Sequence, residues 1–513
     1  MTTSKRNGRG HRAARVFAGM FVLGLILGSP LGDGALAQTM RDESWPRSRP
    51  PQALPAKDVR FPPYELRTLP NGLRVLVLAH HEQPIVSLRL LVRAGAAQDP
   101  TDKPGVATLL GSLLDQGTTT RTAQQVATAI DDVGGALAGG GGTDLSYVNV
   151  VVMKDSFRFG LELLGDVARN PAFTPAEIER QREQAQSSIR VSYEDPDFVA
   201  GAVADRLIWG FHPYGRPGAG TVESVGAISR DDLVAFHQTW FVPNNAILGV
   251  VGDVTADEAF AEVQRVLGNW ARRDLPAQAA VEPPQPTRRV VIVDRPGAVQ
   301  TEIRLGNLAI PRRHADYTAL DLAMRVLGGE GANRLQRVLR TEHGLTYAAS
   351  ADLQALKAGG AFVGQTDTRS EATGEALRLA VDEVWRLQRE RVHPLELADA
   401  QKYLTGHFPL TIETPGEIAT QILNVLFYDL NVDDLESQRE RVNAITVDDV
   451  QRVARAYLFP SRLAIVLVGD AKVIVPQIRS VGFTEFDVVP LQELDLASAD
   501  LRRAPAQPPV ARN

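Results

Sequence analysis

The sequence predicts an α+β protein built from two homologous tandem domains, each a mainly antiparallel sheet flanked by helices. Three observations predict it: a long internal repeat, a proline-rich break between its two copies, and hairpin signals mixed with long helical stretches. Ile228-Ser229-Arg230-Asp231-Asp232-Leu233 recurs as Ile445-Thr446-Val447-Asp448-Asp449-Val450, 217 residues later. In each copy a Ser or Thr caps a helix whose first turn is acidic. Each helix leads to an aromatic segment and a proline, at Trp240-Phe241-Val242-Pro243 and Tyr457-Leu458-Phe459-Pro460. A β-branched strand follows, ending at Val251-Gly252-Asp253 and Val468-Gly469-Asp470. Pro175-Ala176-Glu177-Ile178 and Pro394-Leu395-Glu396-Leu397 repeat at an offset of 219.

Along the chain, residues 1–37 read as a secretory signal. Lys5, Arg6, Arg9, Arg12 and Arg15 precede an apolar core, Val16 to Gly28, and Ala35-Leu36-Ala37 is a small-x-small cleavage site. An uncleaved anchor is the alternative. Residues 38–60 form a Pro- and Arg-rich extended arm. Residues 61–274 are the first domain. It opens with Pro70-Asn71-Gly72-Leu73 as a hairpin turn between Tyr64–Leu69 and Arg74–Leu78. Residues 275–288, with Pro276, Pro283, Pro284 and Pro286, read as a linker. The second domain spans 289–495, and 496–513 is expected to be a disordered tail.

Composition narrows the function. The 513 residues carry a net charge of −6, and losing the basic leader would move it to about −10. That argues against nucleic acid or an anionic membrane as partner. The absence of cysteine excludes disulfides and thiolate metal sites, and suits a periplasmic or secreted protein. The nine histidines offer no paired ligand set: His80 and His81 are adjacent, and His237, His343, His393 and His407 stand alone. No Gly-x-Ser-x-Gly elbow marks a serine nucleophile. The run Gly139-Gly140-Gly141-Gly142, before a strand pattern from Leu145 to Met153, lacks the Lys-Ser/Thr of a phosphate loop. It reads either as a flexible substrate-handling loop or as an ordinary flexible loop.

The stretch Gly105 to Thr118 resembles the zinc helix of the pitrilysin/insulinase (inverzincin) metallopeptidase family, with its chemistry removed. Gly105, Ala107, the apolar positions and Gly117-Thr118 keep the frame. Thr108 and Ser112 stand at the two His positions, Gly111 at that of the catalytic Glu, and Ser188 at that of the third ligand, with Gln181 at a supporting acidic position. Two His at i and i+4 share a helix face and can grip one zinc, and an acid at i+3 can activate its water. Hydroxyls are poor zinc ligands and glycine is no base. The resemblance therefore implies no metal on this chain.

The second half keeps another family signature, Arg340 followed seven residues later by Tyr347 within Leu339-Arg340-Thr341-Glu342-His343-Gly344-Leu345-Thr346-Tyr347. In active members this pair binds the substrate backbone and helps to stabilise the oxyanion. Spacing alone favours a structural reading, with Arg340 paired to a carboxylate near a helix C-terminus and Tyr347 in the core; the Gly344-Leu345 break would put Arg340 at a helix end and Tyr347 on a strand. The resemblance, closest to the two-domain branch that includes mitochondrial processing peptidase subunits, implies a clamshell of two domains. It also implies a subunit that contributes Arg340 and Tyr347 in trans to peptide hydrolysis on the zinc of a homologous partner. The alternative is a catalytically inactive peptide-binding or scaffolding protein.

Overall fold

The structure, a computed structural model, describes residues 62–503 apart from 278–280, 286 and 330–332. The expected leader and arm lie outside the described residues. Residues 62–503 contain two six-stranded sheets. The first comprises β1 (Glu65–Thr68), β2 (Arg74–Ala79), β3 (Ile85–Val92), β4 (Ala136–Gly141), β5 (Ser146–Met153) and β6 (Ala246–Gly252), in the order β1-β2-β6-β3-β5-β4. The second comprises β7 (Arg289–Asp294), β8 (Gln300–Ala309), β9 (Ala349–Ala355), β10 (Gly360–Arg369), β11 (Ala464–Gly469) and β12 (Asp487–Pro490), in the order β12-β7-β11-β8-β10-β9. Both sheets are mainly antiparallel. β6 runs parallel to β2, and β11 and β12 run parallel to β7. The two repeat strands, β6 and β11, sit at equivalent central positions and are buried throughout.

Local chemistry accounts for the elements. Gly72, at φ +91°, closes the β1–β2 hairpin, and Asn71 ties it down by donating from Nδ2 to the Leu267 and Trp270 carbonyls. Eight helices flank the sheets and matter below: α1 (Val106–Leu113), α2 (Phe157–Arg169), α3 (Pro175–Ser192), α4 (Pro196–Trp209), α5 (Arg230–Trp240), α6 (Tyr317–Gly328), α7 (Pro394–His407) and α8 (Pro415–Phe427). Proline at the first position starts α3, α4, α7 and α8, where its missing N–H is not needed. Ser229 caps α5 and Thr446 caps the equivalent helix Val447–Tyr457, each through a reciprocal capping box with an aspartate.

One face of each sheet carries its own half's helices over a large core. The other face is covered by a helix from the opposite half. Val199, Ala200, Val203 and Ala204 of α4 pack on Val291, Val293, Val466 and Val468 of the second sheet. In return, Ala419, Ile422, Leu423 and Leu426 of α8 pack on Leu76, Leu78, Ile247 and Val251 of the first. Pro196 and Pro415, which open the two exchanged helices, are 219 residues apart, the offset of the repeat. Gly249 exists for this contact: a Cβ there would lie 2.9 Å from Leu423 Cδ1. The two halves are therefore joined by reciprocal packing rather than only by residues 275–288, whose described part has no regular element.

The C-terminal segment corrects the expected tail. Leu494, Leu496 and Leu501 are buried in the cluster beneath α4, and Arg206 donates to the Leu496 and Ser498 carbonyls. Apolar burial thus holds the chain in place through residues 496–503; residues 504–513 lie outside the described part.

Candidate functional site

Helix α1 begins at Gly105, whose φ of +105° only glycine adopts easily. Asp99, itself buried, takes the place of a cap: its Oδ2 accepts the Gly105 N–H at 2.7 Å and its Oδ1 the Ala107 N–H at 2.8 Å. Burial pushes the Asp99 carboxyl up to about 7, against these amides and Arg216, which favour the charged form. The four positions in the zinc frame then fall as follows. Thr108 Oγ1 donates to the Gly218 carbonyl at 2.7 Å, and Ser112 Oγ to the Leu109 carbonyl at 2.8 Å. Gly111 is buried and Ser188 is exposed on α3. Two hydroxyls already committed to carbonyls, a glycine and a solvent-facing serine do not make a zinc donor set. Among the described residues no group of three or more His, Asp or Glu side chains is placed to hold a metal ion.

The space has also closed. A Cβ on Gly111 would lie 2.3 Å from Gly141 N and 2.4 Å from Gly140 C; one on Gly141 would lie 2.4 Å from the Ala107 carbonyl oxygen. Helix and strand backbones are therefore in direct contact where a catalytic side chain would need room. This corrects the reading of Gly139, Gly140, Gly141 and Gly142 as a flexible loop. Gly139 to Gly141 belong to edge strand β4, paired antiparallel with β5, and Gly142 bonds through its N–H to the Leu145 carbonyl. Tyr147, directly opposite Gly140, lays its ring over that glycine: a Cβ there would meet the ring at 2.5 Å. The sequence signal for this contact was a glycine in the helix matched by glycines in a strand pattern.

In the second half, Arg340 lies near the end of a π-helical segment, Gln336–Glu342, a form often found at functional positions. Tyr347 is not on a strand and not in the core. It precedes β9 by two residues and is 78% exposed. Threonine side chains explain the early break in the ladder. Thr346 Oγ1 accepts the Ala348 N–H, and Thr366 Oγ1 donates to the Ala348 carbonyl, so these groups are spent before β9 begins. The Arg340 guanidinium stacks on the Tyr347 ring with Cζ 4.6 Å from its centre, and no carboxylate among the described residues pairs with it. Gln336, which sequence reasoning missed, holds the loop from both sides. Its Nε2 donates to the Tyr347 carbonyl at 3.4 Å and its Oε1 accepts the Ala349 N–H at 3.1 Å.

A second missed group joins the halves. Tyr214 donates to Asp144 Oδ1 at 2.7 Å and accepts the Ala358 N–H at 3.0 Å, while Asp144 Oδ2 accepts the Lys357 N–H at 3.0 Å. Burial pushes the Tyr214 hydroxyl well above its usual range, so it stays a proton donor. His212, in the same loop, accepts the Tyr214 N–H.

Fold and site together define a two-domain, peptidase-like protein whose metal helix has lost its ligands while its second-half Arg/Tyr pair faces solvent. Comparison with known proteins identifies the family of this fold. Residues 74–221 match the family described as insulinase (peptidase family M16), and residues 227–404 match the one described as peptidase M16 inactive domain. The chain belongs to the M16, or pitrilysin/insulinase, family. An uncharacterized zinc protease of Mycobacterium leprae is 25% identical over 76% of this chain and 88% of its own length. One from Bacillus subtilis is 20% identical over 79% and 98%. Among solved structures, a peptidase M16 inactive domain from Pseudomonas fluorescens superimposes with a TM-score of 0.74 at 26% identity, covering 79% of this chain and 98% of that one. A protease from Helicobacter pylori, at 21% identity and a TM-score of 0.74, shares the fold.

Proposed function

We propose that this chain is the zinc-free subunit of a heteromeric M16 peptidase of the periplasm or cell exterior. A zinc-bearing homologous partner would carry the metal and the catalytic acid. Arg340 and Tyr347 would hold the substrate backbone and donate to the oxyanion that forms on the scissile carbonyl, since a guanidinium and a phenol are suitable fixed donors there. The observation that carries the reading is the contrast within one chain: a stacked, solvent-facing Arg340/Tyr347 pair with no carboxylate partner among the described residues, beside a first half whose Thr108, Gly111, Ser112 and Ser188 are no zinc donor set.

The test is purification of the tagged protein from its native host, followed by assay of chelator-sensitive peptide cleavage. The expected outcome is a co-purifying zinc-bearing homologue, with activity that falls about 10²-fold in kcat for Arg340→Ala or Tyr347→Phe while the complex still assembles. Wild-type activity in both variants would sink the assigned roles. The closed α1–β4 contact favours a second reading, a peptide-binding or scaffolding protein without turnover. A partner that co-purifies without any cleavage activity would establish that one.

A further inference from the structure

Each half has a cavity at matching places in the repeat, near the C-terminal ends of α3 and α4 in the first half and of α7 and α8 in the second. Ile189 and Phe211 line the first, and Phe408 and Leu430, each 219 residues later, line the second. Their chemistry has diverged. The first, of about 1060 Å³, balances Arg190, Arg206, Arg216 and Arg503 against Asp102, Glu194, Glu223 and Asp495. The second, of about 390 Å³, gathers Arg312, Arg313 and His314 from the loop before α6, His407 from the end of α7, and Arg441, against the single carboxylate of Asp434. That carboxylate is already paired with Arg441 at 3.2 Å. Arg312 stacks on Tyr317, Cζ 3.8 Å from the ring centre, and among the described residues neither Arg312 nor Arg313 forms an ion pair.

We propose that this second-half cavity is a binding site for a small polyanion bearing phosphate or carboxylate groups. Two guanidiniums on adjacent residues, without an ion-pair partner among the described residues, supply the planar donors that such oxyanions take in a bidentate manner. Arg441 and the imidazoles of His314 and His407 supply further donors around them. The stacking of Arg312 on Tyr317 fixes one guanidinium plane in advance, which lowers the ordering cost of binding. The cavity volume lies within the range of small-molecule sites, roughly 300–1,000 Å³. The site is separate from Arg340 and Tyr347, none of whose atoms line it.

The experiment is calorimetric titration of the purified protein at low ionic strength with pyrophosphate and, separately, with citrate. These probes distinguish phosphate from carboxylate chemistry. Saturable binding of either is expected, weakened at least about tenfold in the double variant Arg312→Gln/Arg313→Gln. Arg378→Gln, which removes an exposed cation elsewhere, should leave the affinity within about twofold. Absence of saturable binding to both probes overturns the proposal, as does equal weakening by Arg378→Gln. Should the double variant fail to fold, phenylglyoxal labelling of the wild-type protein decides instead. Protection of Arg312 and Arg313 by the bound probe supports the site, and labelling unchanged by the probe overturns it.

Discussion

At the scale of single residues, Gly111 is held by a tight backbone contact. Helix α1 and strand β4 touch through backbone atoms, and the neighbours that a side chain would meet are themselves backbone, which cannot rotate away. Gly111→Ala should therefore cost roughly 1–3 kcal/mol of stability despite the better helix propensity of alanine. Chemical denaturation measures this; a stabilised variant would mean that the contact is looser than described. Gln336 acts through hydrogen bonds instead. Gln336→Ala removes both ties on the loop around Tyr347, so the Ala349 amide should exchange faster with solvent while Tyr347→Ala leaves it unchanged. Equal exchange in Gln336→Ala and wild type would show that the threonine bonds alone hold the loop.

Among the elements, the exchanged helices carry the most weight. α8 belongs by sequence to the second half but packs on the first sheet, so a cavity cut into it should be felt across the repeat boundary. Leu423→Ala should cost about 2–5 kcal/mol and should accelerate amide exchange in β2 and β6 more than in β8 and β10. The opposite pattern would show that the halves are energetically independent. What the sequence showed and hid follows from range. The hairpin at Asn71-Gly72 and the capping boxes are local patterns, and each is where sequence reasoning put it. The exchange is not local. Val199, Ala200, Val203 and Ala204 mark α4 as buried, but nothing in their spacing says that the second sheet covers them. Likewise Gly139, Gly140 and Gly141 read as a flexible loop because the glycine they pack against, Gly111, lies on a separate helix and nothing in their own spacing points to it.

The same exchange makes the whole molecule sensitive to pH. Where α4 meets β8, the buried Arg304 side chain bonds to Asp197 and lies 3.7 Å from Glu302, with Asp205 in the same charge environment. Burial pushes the Glu302 carboxyl up to about 7, and Arg304 only partly offsets this. In the unfolded chain that group titrates near its ordinary value of 4.5. Below that value both states hold the proton and the full stability is present. Between it and about 7 the unfolded chain releases the proton while the folded chain keeps it, so stability falls as pH rises and the loss is complete above about 7. Asp205, pushed up by burial to about 6, acts in the same direction. Buried His237, pushed down to about 4, acts in the opposite one, so the slope of the wild-type protein alone is not diagnostic. Glu302→Gln isolates the effect, because glutamine cannot ionise and all other groups stay in place. Relative to wild type, the variant should gain stability between about pH 5 and about pH 8, read from denaturation midpoints at the two values. A difference independent of pH would show that Glu302 titrates alike in both states, and that the junction between the halves is open to water.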